Sequence, residues 1–446
     1  MLSLFIARSG AHKGIYPGFL AQAGAITLAV VYSAAAFAAD GPLTLAAAQK
    51  LAVERSLQLP AQDMAIIASR EMAVAAGQLP DPTLKIGLDN LPVNGSARFS
   101  ATDDFMTMRR IGVGQEWTHA DKRQLRSQRY EREADKSVAE KAVVIAAIER
   151  DTALAWLDRY YAEQMAAVIA EQAAQAQLEI EAAESAYRGG RGNQADIFSA
   201  RSELVEVKDR LSEIQRRARN ARTMLMRWVG DAPDVPLAEV PNVESLRLNP
   251  AALDTQLAHH PQIAVLSRQV SIAESEAKLA EANKQADWSV ELAFQQRGPA
   301  YSNMVSIGIS LPLQWDQKNR QDRELSAKLA ALEQSKAERD EMLREHVAET
   351  RIMIEEWQND RERSARYAQE LIPLVNQRVQ AVVTAYRGGK ASLADVLLAR
   401  RSEIDIRLQA LQMQADTARI WAQLNFLFPT DEEAMHSKVE MDKDRQ

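Results

Sequence analysis

Two stretches of the chain, from about Asp121 to Arg188 and from about Gln317 to Arg387, contain no glycine, and the first contains no proline. Both read as continuous helix. At 1.5 Å per residue each would extend roughly 100 Å, whereas an ordinary globular helix has about 11 residues. A helix this long is marginal alone and needs partners along its length. The returning segments supply them. Leu204, Val207, Leu211, Ile214, Ala218, Ala221, Leu225 and Trp228 step by three and four, as do Leu408, Leu411, Ala415, Ala418 and Ala422. That period specifies a left-handed coiled-coil seam, and its alanines permit close approach. Pro373 inside the second stretch predicts a kink or break.

The plan occurs twice. Ala186-Tyr187-Arg188-Gly189-Gly190 recurs as Ala385-Tyr386-Arg387-Gly388-Gly389. Ala195-Asp196 matches Ala394-Asp395, and Ala200-Arg201 matches Ala399-Arg400, so a tandem duplication explains the chain. The glycine pairs end the outgoing helices, because glycine accepts the left-handed conformation after a C-cap. Residues 191–195 and 390–394 cross over. Asp196 and Asp395 then begin the return helices, where a carboxylate favours the N-terminal dipole. Asp196 is read as a helix cap alone. Taken by themselves, these blocks are good turns.

Each half also opens with a helical stretch, Leu45 to Gln78 and Ala251 to Gln285. Two alternating segments follow, Thr83–Leu91 with Phe105–Trp117 in the first half and Trp288–Gln295 with Met304–Leu313 in the second. Period two predicts strands with one apolar face, paired as hairpins across the loops Pro92–Asp104 and Arg297–Asn303. Pro233, Pro236, Pro241 and Pro250 mark residues 231–250 as a linker. The expected organisation is residues 1–38 an export signal, 39–230 a first repeat, 231–250 the linker, 251–430 a second repeat and 431–446 a charged tail.

The first residues carry Arg8, His12 and Lys13, then an apolar stretch from Phe19 to Val31, then Ala36-Phe37-Ala38 as an A-x-A site. This is the secretory layout. An uncleaved anchor is the rival reading, and Gln22 with the small-residue exit favours cleavage. No later stretch approaches the length of a membrane helix. Four strands cannot close a membrane barrel, which needs at least eight, and open edges do not survive in lipid. Either the strands form a soluble sheet or several chains share one barrel. Three chains would supply 12 strands and a helical tube. The predicted fold class is mostly α with a small β part, internally duplicated.

Composition excludes other classes. Cysteine is absent, which removes disulfides, thiolate metal sites, cysteine nucleophiles and lipidation on cysteine. The 54 basic and 61 acidic residues leave a net charge of −7, which argues against a nucleic-acid partner. No phosphate-binding loop, dinucleotide fingerprint, H-E-x-x-H or G-x-S-x-G occurs, so neither an enzyme nor a cofactor is expected.

The layout resembles the TolC family of outer-membrane efflux proteins, from Leu43 to about Phe428. The paired tip motifs at 186–196 and 385–395 carry the resemblance. So do Ser306-Ile307-Gly308-Ile309-Ser310-Leu311-Pro312-Leu313 and Arg110-Ile111-Gly112-Val113-Gly114-Gln115-Glu116. The resemblance implies a homotrimer, with a 12-stranded barrel in outer-membrane lipid continued by a periplasmic α-helical barrel. It implies a docked periplasmic adaptor and an inner-membrane pump, of the resistance-nodulation-division type. It places adaptor docking on Tyr187, Arg188, Gly189 and Gly190 with Tyr386, Arg387, Gly388 and Gly389. It also makes Asp395 a candidate for the periplasmic entrance gate, beside the helix-cap reading. Some members carry a second acid three residues on, and here that residue is Leu398.

For cargo, Gln78-Leu79-Pro80-Asp81-Pro82, Asp89-Asn90-Leu91-Pro92-Val93-Asn94-Gly95 and Met106-Thr107-Met108-Arg109-Arg110 are similar to the heavy-metal-efflux branch. Direct ligand evidence is thin. Met106 and Met108 are expected on one strand face, where thioethers suit Cu(I) but also pack. His259-His260 are read as surface residues before Pro261, at a helix break where the first half has Arg55-Ser56, and His436 lies in the charged tail. The alternatives are a multidrug or type I secretion channel, and a periplasmic coiled-coil adaptor or scaffold.

Overall fold

The computed structural model describes residues 41–230 and 235–430. The export signal, the whole charged tail 431–446 with His436, and residues 231–234 of the linker lie outside them. The element order is α1 (Leu45–Arg55), α2 (Gln58–Ala76), β1 (Thr83–Asp89), β2 (Met108–Trp117), α3 (Ala120–Arg188), α4 (Gln194–Val229), α5 (Leu253–Leu257), α6 (Pro261–Ala282), β3 (Trp288–Gln296), β4 (Met304–Ser310), α7 (Gln321–Arg366), α8 (Ile372–Arg387) and α9 (Leu393–Asn425).

The helical stretch over Leu45 to Gln78 is two helices, divided beside the expected break at Arg55-Ser56. Thr44 caps the first through Ala47 N–H, and the chain breaks at Ser56-Leu57 before the second. The equivalent break in the other half falls at His259-His260, where His260 caps α6 and Pro261 opens it. α3 is one helix of 69 residues. It lies against α2, α4, α6 and α9. Pro373 does not divide the second long stretch in two separated pieces. The disturbance is one π-helical turn, Tyr367–Leu371, that runs directly into α8. A single widened turn accommodates a proline ring without ending the helix.

The main core gathers the middle of the helices. Trp156 is fully buried there with Leu157, Leu225, Leu257 and Leu424. Three indoles tie the irregular segments to it. Trp156 Nε1 donates to Leu43 O at 3.0 Å, Trp357 Nε1 to Val243 O at 3.2 Å and Trp421 Nε1 to Ser245 O at 2.9 Å. Leu43 also bridges Leu237. The described part of the proline-rich linker is therefore pinned to the helices through its backbone carbonyls.

The strands form one sheet in the order β1-β2-β3-β4, antiparallel throughout. The two hairpins are thus joined by the β2–β3 ladder. β2 begins at Met108 rather than Phe105, because Asp104 and Met106 close a turn first, Met106 N–H donating to Asp104 Oδ1 at 2.7 Å.

Candidate functional site

Alternation and register divide the sheet into two chemically different faces. Leu84, Val113, Leu292 and Ile307 are cross-strand neighbours on one face, as are Ile86, Ile111, Phe294 and Val305. These side chains stay exposed, Ile86 at 76% and Ile307 at 74%. The opposite face carries Gly112, Ala293 and Ser306 beside Lys85, and Gly114 and Gly308 beside Glu291. A Cβ at Gly112 would stand 2.9 Å from the Ala293 Cβ, so this face is close-packed by small residues. Its charges are paired. Glu291 binds Lys85 Nζ at 2.6 Å and the Arg110 guanidinium, and Arg110 also lies 3.8 Å from Asp89. Apolar outside and polar inside is the pattern of a barrel wall in lipid.

The junction between sheet and helices is charged and ordered. Lys122, at the start of α3, is buried and binds Asp287 at 2.9 Å, just ahead of β3. His119 N–H donates to the same carboxylate at 3.0 Å. Although burial opposes it, these bonds hold the Asp287 carboxyl below the usual carboxylate range.

At the helix tips the two copies of the repeat build the same device. After α3, Gly190 N–H donates to Tyr187 O and Arg191 N–H to Ala186 O, both at 3.0 Å. After α8, Gly389 N–H donates to Tyr386 O at 2.9 Å and Lys390 N–H to Ala385 O at 2.8 Å. Each is a Schellman closure, with the second glycine left-handed: φ is 69° at Gly190 and 68° at Gly389. Arg188, Gly189 and Gly190 are exposed, as are Arg387, Gly388 and Gly389. The tyrosines differ. Tyr187 is exposed, while Tyr386 packs on the tip core of Ile180, Leu204, Leu393, Val396 and Leu397.

The cap assignment changes. The N-caps are Asn193 and Ser392, and Asp196 and Asp395 sit three residues on, completing capping boxes. Asp196 N–H donates to Asn193 Oδ1 at 2.9 Å and Asp395 N–H to Ser392 Oγ at 3.2 Å. The carboxylates reach back to the N-cap backbone, at 3.2 Å for Asp196 and 2.9 Å for Asp395. The signal was the spacing, Asn193 to Asp196 and Ser392 to Asp395. Asp395 is exposed, and the Ser392 hydroxyl and N–H hold its carboxyl below the usual range. Leu398, one turn on, is also exposed.

The residues weighed as metal ligands do not assemble a site. Met106 lies in the turn before β2, so it and Met108 do not share a strand face. His259 is exposed, but His260 is not a surface residue: it is 8% exposed and stands 4.8 Å, ring to ring, from His346 on α7. Among the described residues no group of three or more His, Asp or Glu is placed to hold a metal ion. No described helix is long and apolar enough to cross a membrane.

A sheet apolar on one face and polar on the other, carried on two long helical hairpins, is the fold of the TolC-family outer-membrane channels. Among solved structures, the crystal structures of CusC, described in connection with transmembrane channel formation, include a chain aligning with a TM-score of 0.73 at 15% identity, over 86% of this chain and 92% of that one. The outer membrane protein VceC of Vibrio cholerae aligns with a TM-score of 0.68 at 17% identity, over 86% and 95%. In sequence the chain is similar to the cobalt-zinc-cadmium resistance protein CzcC of Cupriavidus metallidurans, 23% identical over 384 residues, covering 85% of this chain and 88% of the relative. No family model matches the chain.

Proposed function

We propose that three copies of this chain form an outer-membrane exit duct, in which an adaptor and an inner-membrane pump deliver heavy-metal cations to the periplasmic mouth. The sheet carries the channel reading. It has two open edges, β1 and β4, and an exposed apolar face. Four antiparallel strands leave those edges running in opposite directions, so β4 of one copy can continue onto β1 of the next in an antiparallel barrel. Three copies give 12 strands, within the range of closed membrane barrels. The polar face with Lys85, Arg110 and Glu291 then lines the lumen. The helical hairpins continue as the tube, and the exposed tips at Arg188–Gly190 and Arg387–Gly389 present six turns for docking an adaptor. A coiled-coil adaptor or scaffold does not account for an exposed apolar sheet face.

The likeness to CzcC supports metal cations as cargo. Asp395, exposed and held ionised, would contribute three negative charges around the periplasmic mouth, an arrangement that favours cations. The test is growth of a deletion strain, with and without plasmid rescue, on cobalt, zinc, cadmium, nickel, copper and silver salts beside dyes, bile salts and antibiotics. Sensitivity confined to metals is the expected result. Sensitivity to the organic compounds alone would assign the duct to drug export or secretion.

A further inference from the structure

Arg109 and Arg110 are neighbours on β2 that face opposite ways. Arg110, on the polar face, meets Glu291 and Asp89. Arg109 pairs in register with Leu88 and Gln296, and so stands on the apolar face, at its loop end. Among the described residues its guanidinium hydrogen-bonds only the carbonyl of Arg297, at 3.5 Å. Two further arginines stand in the loops that join the strands at this end. Arg98 lies 4.7 Å over the exposed Phe99 ring, and Arg297 lies 5.5 Å over Tyr301. Arg297 also donates to Ser302 O and Phe105 O, latching the two loops together. Among the described residues none of the three arginines is in an ion pair with a carboxylate. The nearby loop acids are bonded within their own turn: Asp104 accepts from Met106 N–H, and the exposed Asp103 from the Thr102 hydroxyl.

The other end of the apolar face is closed by Trp117 and Trp288. Eight residues separate Trp117 from Arg109 along β2. At about 3.4 Å each, on a strand tilted by roughly 40°, that is a band about 20 Å tall. Arg109 therefore falls at the far margin of the band, where the apolar surface gives way to headgroups, and Phe99, Phe105 and Tyr301 belong to the loops beyond it. An arginine costs little there, although it costs several kcal/mol at the midplane. Its hydrogen-bond fork suits phosphate.

We propose that Arg98 and Arg109, steadied by the Arg297 latch, form a binding site for phospholipid headgroups of net negative charge at the external margin of the sheet. The site rests on the membrane reading of the sheet. It supplies the missing counter-charges from the lipid, where the lumen-facing arginine finds its own within the chain.

The test is native mass spectrometry of the purified full-length assembly in detergent, titrated separately with phosphatidylglycerol, phosphatidylcholine and inorganic phosphate. Wild type is expected to retain phosphatidylglycerol in preference to phosphatidylcholine, and inorganic phosphate weakly. An Arg98→Gln/Arg109→Gln variant is expected to bind phosphatidylglycerol about 25-fold more weakly, about fivefold for each arginine at a charged membrane surface. Arg98→Lys/Arg109→Lys should recover most of that loss. Equal retention of the two lipids by wild type overturns the proposal, as does undiminished phosphatidylglycerol binding by the glutamine variant at an unchanged melting temperature. Inorganic phosphate bound as tightly as the lipid would make the site one for free anions instead. Failure of the membrane reading looks different: the protein would remain soluble without detergent and take up neither lipid.

Discussion

Trp117 and Trp288 stack with ring centroids 5.1 Å apart and planes 10° from parallel, at the residue pair that ends the β2–β3 ladder nearest the helices. β2 belongs to the first half of the chain and β3 to the second, so this stack clamps the halves where sheet meets helix. Stacked aromatic pairs contribute about 0.5–1.5 kcal/mol beyond area burial. Trp117→Ala, Trp288→Ala and the double substitution should show a coupling of that size in chemical unfolding of the detergent-solubilised protein. Strictly additive losses would mean that the stack holds nothing together.

The tips separate folding from docking. A Cβ at Gly190 or Gly389 would meet nothing within 4 Å. The left-handed backbone costs a substituted residue about 1–2 kcal/mol at each tip. Gly190→Glu with Gly389→Glu should therefore leave secondary structure and trimer formation intact while metal tolerance fails to return in the rescued deletion strain. Full rescue would remove the tips from adaptor docking.

Substitution can separate the capping role of Asp395 from its proposed role in the gate. Ser392→Ala removes a cap and should destabilise the start of α9 by about 1 kcal/mol. It also removes the hydroxyl bond, the larger of the two that keep the Asp395 carboxyl ionised to lower pH than usual, and leaves the backbone N–H bond in place. A gate made by this group then loses its cation preference at higher pH in Ser392→Ala than in wild type, and at every pH in Asp395→Asn. Reversal potentials in a salt gradient read both effects. Unchanged potentials in both variants would leave Asp395 as a capping residue only.

His260 predicts an acid weakness. Burial first, and the neighbouring His346 second, push its pKa down to about 4 from 6.5. The folded protein thus resists a proton that the unfolded chain takes up. The stability linked to this group is fully present above about pH 6.5 and is lost as the pH falls toward 4. His260→Phe should flatten the dependence of melting temperature on pH in that window. A slope equal to wild type would locate the acid sensitivity elsewhere.

The sequence was most legible where one residue's demand overrides its surroundings. The glycine pairs marked the tips because a left-handed turn has few other occupants, and the glycine-free runs marked α3 and α7 because so long a helix tolerates no flexible residue. Alternation gave each strand its two faces. It did not give the register, and only register sets Glu291 between Lys85 and Arg110 or parts Arg109 from Arg110. The break after Arg55 was legible only by its correspondence with the break before Pro261 in the second half, since the apolar pattern continues across it. His260 was misread because nothing local reveals that α7 will cover it with His346. The caps Asn193 and Ser392 were within reach, since their spacing to the aspartates is the signature of a capping box.

The open edges described for β1 and β4 make the single chain the most vulnerable form of this protein. A free copy presents unpaired strand backbone at both ends of its sheet and a greasy face between them, which is a template for faulty strand addition. In the proposed trimer the remedy for each edge is the other edge of an identical molecule, so protection would arrive only with assembly and would depend on how often copies meet. A cell making too little of this protein, or making it faster than copies can join, would lose it to clumping and proteolysis before any duct exists.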